Sequence, residues 1–158
     1  MMKTDNPQQP TDEFLLLIRG TQWSHGLSPA ELQKSMTDFY AWVDSLVEAK
    51  VLQGAQPLME EGKLVSGPKG STVTDGVFVE SKEAIAGYFL LAVATMEEAL
   101  THARRCPILE YGAELEVRPI ADVCRPMAEV KEVKEVKEVK EVKEVKEVKE
   151  VKEATGAL

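Results

Sequence analysis

The chain has 158 residues, 44% of them hydrophobic, and a formal net charge of −8. That length suits one domain with a real core. The acidic balance argues against nucleic acid or an anionic membrane surface as a partner, because both need a basic patch. The charge does not come from the C-terminal repeat. There nine Glu stand against eight Lys, so the rest, 11 basic and 18 acidic residues, still carries −7. Cys106 and Cys124 are isolated, which indicates neither a disulfide framework nor a zinc site. The start, MMKTDNPQQPTDE, is polar and Pro-containing. It lacks the apolar core of a signal peptide, and no run approaches a membrane span. A cytoplasmic protein is the resulting expectation.

Residues 1–12 read as a disordered lead-in. Phe14–Ile18 follows as five apolar residues closed by Arg19-Gly20, a strand buried on both faces. Ser28-Pro29-Ala30-Glu31 opens a helix, with Ser28 as N-cap, Pro29 in the first turn and Glu31 closing a capping box. Leu32, Met36, Phe39, Val43, Leu46 and Val47 recur at helical spacing and predict the inward face. The helix should fade near Lys50. Val51–Leu58 reads as a poorer strand, weakened by Gly54 and closed by Pro57. The turn clusters Glu60-Glu61-Gly62 and Ser66–Gly70 then predict a hairpin-like excursion across Met59–Thr74.

Tyr88–Val93 is a second strand too continuously apolar to have a wet face. Thr95–Glu98 repeats the capping-box pattern, and Met96, Ala99, Leu100, Ala103 and Cys106 form one helical stripe that Pro107 stops. Glu114–Arg118 alternates polar and apolar, the mark of a strand with one wet face. The order strand, helix, strand, hairpin, strand, helix, strand predicts an α+β fold. Its core is a ferredoxin-like βαββαβ sheet with a hairpin inserted before the third main strand, and its first and third main strands are central. Two helices cover only one face of such a sheet. The other would be a large apolar patch, so a second copy of the chain is expected to close it into a dimeric α/β barrel.

From Glu129 the chain is EVK repeated eight times and then Glu153. A period of three matches neither a helix at 3.6 nor a strand at 2.0 residues, so the valines form no stripe. Residues 127–158 therefore read as a low-complexity tail, helical or disordered, following a domain at 13–126. A helical spacer or self-association arm is the alternative.

Chemistry is expected in the loop between the hairpin and the second central strand. Asp75-Gly76 is first a turn signal, but Glu80, Lys82 and Glu83 follow within nine residues of Asp75. Paired carboxylates beside an ammonium are workable acid–base equipment. His25 reads as a surface-loop histidine, with a pocket base as the second reading. His102 lies off the apolar stripe and is expected to face solvent. Tyr40 and Trp42 are expected to pack rather than bind. Two distant histidines give no metal site, and no cofactor is implied.

DGVFVESKE at 75–83, GYFLL at 87–91 and EVRP at 116–119 together resemble the YCII-related family, in the subgroup named for its Asp-Gly-Pro-Phe motif. Leu15–Gly20 and Leu27–Leu32 are similar to that subgroup's opening segments, and the resemblance covers roughly Phe14 to Pro126. It implies a dimeric ferredoxin-like barrel and frequent genomic association with extracytoplasmic-function sigma factors. By position it marks Asp75, Gly76, Phe78, Glu80, Lys82 and Glu83 as lining a site. Val77 stands where the motif has proline, which frees the loop's φ. A homodimer that binds a small polar organic molecule is the leading expectation. Asp75 would be its acid–base residue, Lys82 a charge partner and Glu80 a secondary carboxylate. A non-enzymatic accessory to a sigma-factor system is the alternative. The two differ in the setting of Asp75: the floor of an enclosed pocket for an enzyme, an open surface for an adaptor.

Overall fold

In the computed structural model, which describes residues 12–76 and 83–156, strand β1 (Asp12–Arg19) lies between two antiparallel neighbours. One is β5 (Ile85–Val93) and the other β6 (Glu114–Pro119). With β2 (Leu52–Pro57) outside β5, the sheet order is β2-β5-β1-β6. The first and third main strands are thus central, as expected, and the chain forms an α+β, ferredoxin-like sheet. Helices α1 (Pro29–Glu48) and α2 (Met96–Ala103) supply the connections between main strands, and β3 (Lys63–Ser66) pairs with β4 (Thr72–Asp75) in a separate hairpin.

The central strands alternate between two environments. Phe14, Leu16 and Ile18 on β1 and Phe89, Leu91 and Val93 on β5 are buried. They pack with Trp42 and Leu46 of α1 and with Ala99 and Ala103 of α2. Leu15, Leu17, Tyr88, Leu90 and Ala92 point the other way, by the period of two in a strand, and stay half-buried. Gly87 permits the close approach of β2 to β5, since a Cβ there would lie 2.9 Å from the Gln56 carbonyl oxygen.

Local chemistry starts α1 as anticipated. The Ser28 Oγ accepts from the Glu31 N–H, and the Glu31 carboxylate accepts from the Ser28 N–H, an arrangement that holds Glu31 below the usual carboxylate pKa. The buried stripe is shifted from the expected one. Ser35, Trp42 and Leu46 are buried, while Leu32 and Val47 remain 40% and 56% exposed. Ser35 tolerates burial because its hydroxyl donates to the Leu32 carbonyl at 2.9 Å. Trp42 places its Nε1–H on the His102 carbonyl at 3.0 Å, tying α1 to α2. Tyr40, expected to pack, is 62% exposed, and His102, expected in solvent, is half-buried.

Helix α2 ends at Ala103, before the expected stop at Pro107. Thr95 Oγ1 accepts from the Glu98 N–H at 3.2 Å, but the Glu98 carboxylate reaches past the cap to the Ala94 N–H. Cys106 then caps a short 3-10 turn, Pro107–Tyr111, and is buried. Burial pushes its thiol up to about 11, against an ordinary value of 9.0.

The domain accounts for one compact unit, Met1–Ile120, and Ala121–Leu158 for a second. In the second, α3 (Arg125–Thr155) runs through the whole EVK repeat. The described valines Val130, Val136, Val139, Val142, Val145, Val148 and Val151 are each about half exposed, between 45% and 62%. A period of three distributes them around a helix of 3.6 residues per turn and leaves no packing seam.

Two measurements check this division of labour. Leu91→Ala should cost about 2–5 kcal/mol in urea denaturation, whereas Val142→Ala should stay within about 0.5 kcal/mol of wild type. An aromatic disulfide reagent at about pH 8 should find the exposed Cys124 at once and Cys106 only after unfolding. The same burial means that the stability Cys106 contributes is complete below pH 9.0 and is lost as pH rises to about 11.

Candidate functional site

Two clefts open at one end of the sheet, where β1 and β2 finish and β5 begins. The larger, of about 310 Å³, lies on the helix-covered side, and its walls come from several separate stretches of chain. Trp23, in the 3-10 turn after β1, supplies one wall and Phe39 and Tyr40 of α1 another; Ala55 to Pro57 of β2 and Phe89 of β5 form the base. The volume lies at the small end of the range for ligand pockets, roughly 300–1,000 Å³. The aromatic side chains are held by one another. Phe39 meets Phe89 edge-on at 6.0 Å, Trp42 meets Phe89 at 5.0 Å, and Trp23 leans on Tyr111 at 6.4 Å. Edge-to-face contacts of this kind fix ring orientation as well as adding burial.

Among the described residues that line it, none carries a formal charge. Gln56, Tyr40 and Trp23, through its indole N–H, are the lining residues with polar side-chain groups. The lining is otherwise apolar and aromatic, and it contains no carboxylate or ammonium to move a proton.

The smaller cleft, of about 170 Å³, is lined by Thr21, Glu60, Glu61, Gly76 and Glu83, among others. The Gly76 N–H donates to the Gly62 carbonyl at 2.8 Å and closes the base of the hairpin. On the other side the Gly20 N–H donates to the Ala84 carbonyl at 2.7 Å. Gly76 and Glu83 both line this cleft.

Asp75 is not brought to either cleft. It ends β4 with its side chain 90% exposed and forms an ion pair with Lys63 across the hairpin. His25 follows the 3-10 turn Gln22–Ser24, is exposed, and lines neither cleft. Phe78, Glu80 and Lys82 lie outside the described residues. Among the described residues, no group of three or more His, Cys, Asp or Glu side chains is placed to hold a metal ion, and no helix is long and apolar enough to cross a membrane.

The aromatic cleft was not anticipated from sequence. One signal was present: Phe39 and Tyr40 are adjacent on a helix, so their side chains point about 100° apart and cannot both face the same core.

On the open face of the sheet, Arg19 of β1 pairs with Glu116 of β6, and the Arg118 Nε lies 3.7 Å from the same carboxylate. Arg19 and Glu116 are each about one-third exposed, at 32%. These residues belong to the LIRG and EVRP segments that carried the family resemblance.

The chain is similar to 5-chloro-2-hydroxyhydroquinone dehydrochlorinase (TftG) from Burkholderia phenoliruptrix AC1100, solved in complex with 2,5-dihydroxybenzoquinone. The two share 14% identity over 69% of this chain and 93% of that one, with a TM-score of 0.40. It is also similar to the Arabidopsis thaliana protein At3g17210, at 16% identity over 73% of this chain and 97% of that one, with a TM-score of 0.30. No curated protein matches the sequence. The family model described as YCII-related domain matches residues 13–123, which takes in every strand of the four-stranded sheet and both helices packed on it: this chain belongs to the YCII-related family.

Proposed function

We propose that this YCII-related protein is a cytoplasmic homodimer that binds a small organic molecule, with the ligand's apolar body seated in the aromatic cleft. The observation that carries the reading is the cleft itself, about 310 Å³ with walls of Trp23, Phe39, Tyr40 and Phe89. A largely preformed apolar cavity with few polar groups is the usual form of a small-molecule site. We take Asp75 to Phe78 as the subgroup motif with valine in place of its proline. A polar part of the ligand would then face the loop that carries Glu83 and, by position in the motif, Glu80 and Lys82. Asp75 would act as its acid–base residue only if the dimer encloses it.

The homodimer is supported by the open side of the sheet. Leu15, Leu17, Leu90 and Ala92 are half-buried there while their neighbours on the other face are buried. An apolar surface on central strands favours a cover, and two copies face to face provide one. The Arg19–Glu116 pair would then lie inside the barrel, where breaking one partner is costly.

A second reading, an accessory to an extracytoplasmic-function sigma-factor system, is favoured by one observation. Asp75 stands on an exposed hairpin rather than on the floor of a pocket, the setting expected of a contact surface.

A thermal-shift screen separates the two. A neutral aromatic compound at about 100 times its Kd should stabilise the native protein by about 2.7 kcal/mol. Ala55→Leu, which fills the cleft, should abolish the shift, and Asp75→Asn should leave it in place. If no such compound moves the wild-type melting temperature, the small-molecule reading fails.

A further inference from the structure

The hydrogen-bonding groups of the aromatic cleft are few and unequal. Gln56 pairs in register with Tyr88, one step along from the Ala55–Phe89 pair, so alternation assigns its side chain to the open face of the sheet. Tyr40 is 62% exposed. Its hydroxyl can donate or accept, and it therefore favours neither kind of ligand atom. Trp23 differs, because an indole N–H only donates.

The chain has two tryptophans, and they spend that donor differently. Trp42 gives its N–H to the His102 carbonyl at 3.0 Å. Trp23, half-buried in the cleft wall, rests its ring on Tyr111, and its N–H meets no protein acceptor among the described residues. No buried side-chain nitrogen or oxygen there lacks a partner, so the Trp23 Nε1 is open to an incoming molecule. Its position is set by the backbone. The 3-10 turn Gln22–Ser24 is closed by the His25 N–H on the Gln22 carbonyl at 3.0 Å. Gly20 and Gly26 flank it at φ 79° and 86°. A donor fixed in advance costs little further ordering on binding.

Charge decides what kind of acceptor fits. The lining holds no cation. On α1 the Lys34 ammonium is engaged by Asp38 at 2.5 Å, and Arg19 is engaged by Glu116 on the other face of the sheet. The whole chain carries −8. A carboxylate or phosphate would enter such a cleft without a counter-charge and against the field of the protein. A neutral oxygen or ring nitrogen meets neither cost.

We propose that the Trp23 indole N–H is the specificity-determining donor of the aromatic cleft, and that the ligand is a neutral aromatic molecule whose carbonyl-type oxygen or ring nitrogen accepts from it. This rests on the small-molecule reading above and narrows it. A bare hydrocarbon ring of the same shape fills the cleft but leaves the donor without a partner.

The test titrates the full chain calorimetrically with 1-tetralone and with tetralin, one bicyclic frame with and without a ketone oxygen. Trp23→Phe keeps a ring against Tyr111 and removes the N–H. It should weaken 1-tetralone about 3–10-fold more than it weakens tetralin, the worth of one hydrogen bond. A second readout needs no variant. Of the two indole N–H resonances, the faster-exchanging one belongs to Trp23, since Trp42 is buried and bonded. That resonance should move further downfield with 1-tetralone than with tetralin. Equal losses for the two compounds, or shifts that do not distinguish them, overturn the donor and leave the cleft standing. Tighter binding of 1-naphthoate than of 1-tetralone overturns the neutral class. If neither bicycle binds the wild type, the small-molecule reading fails and the donor with it.

Discussion

The antiparallel pairing of β1 with β5 is the constraint from which the other features follow. Phe14–Ile18 of β1 and nearly every position of β5 are apolar, so neither face of the sheet's centre is suited to water. Helices α1 and α2 shelter one face, and Trp42 locks them together through its bond to the His102 carbonyl. On the other face the same two strands present leucines and Tyr88, all of them half-buried. On that face Arg19 and Arg118 both lie against Glu116, while Glu13 and Glu114 are exposed.

The aromatic cleft follows from how the sheltered face ends. Near the C-terminal ends of β1 and β2 a gap remains between α1, which contributes Met36, Phe39, Tyr40 and Val43, and the sheet, which contributes Ala55 to Pro57 and Phe89. The gap is walled by rings braced against one another: Phe39 on Phe89, and Trp23 on Tyr111. Ring contacts hold such a gap open, because each wall is restrained from collapsing into it. The adjoining acidic cleft, with Glu60, Glu61 and Glu83, is opposite in character, so a ligand spanning both would need an apolar ring and a donor-rich end.

Much of the fold was legible because its signals are local. Ser28 and Glu31 lie three apart and cap a helix wherever they occur in that order, and the two apolar runs could only be central strands. The face of α1 was less legible. Two overlapping stripes fit its spacing, one through Leu32, Met36 and Val43 and one through Ser35, Phe39, Trp42 and Leu46. The second contains a serine whose burial is acceptable only because the Leu32 carbonyl satisfies it. Beyond the adjacency of Phe39 and Tyr40 the aromatic cleft could not be read, since Trp23, Phe39, Ala55 and Phe89 are brought together by topology. The opposite error threatens the motif loop. Asp75 and Glu83 are near in sequence, yet one ends a strand of the hairpin and the other precedes β5, so among the described motif residues Gly76 and Glu83 share a cleft and Asp75 lies outside it.

Whether the open face of the sheet is covered by a second copy is most directly decided by sedimentation equilibrium of the full chain, since equilibrium mass is independent of shape and so of the long α3 helix. A mass of twice 17.5 kDa, falling towards 17.5 kDa on dilution or when Leu17 and Leu90 are both changed to lysine, is the expected result. A well-folded species of 17.5 kDa at every concentration reached would contradict it.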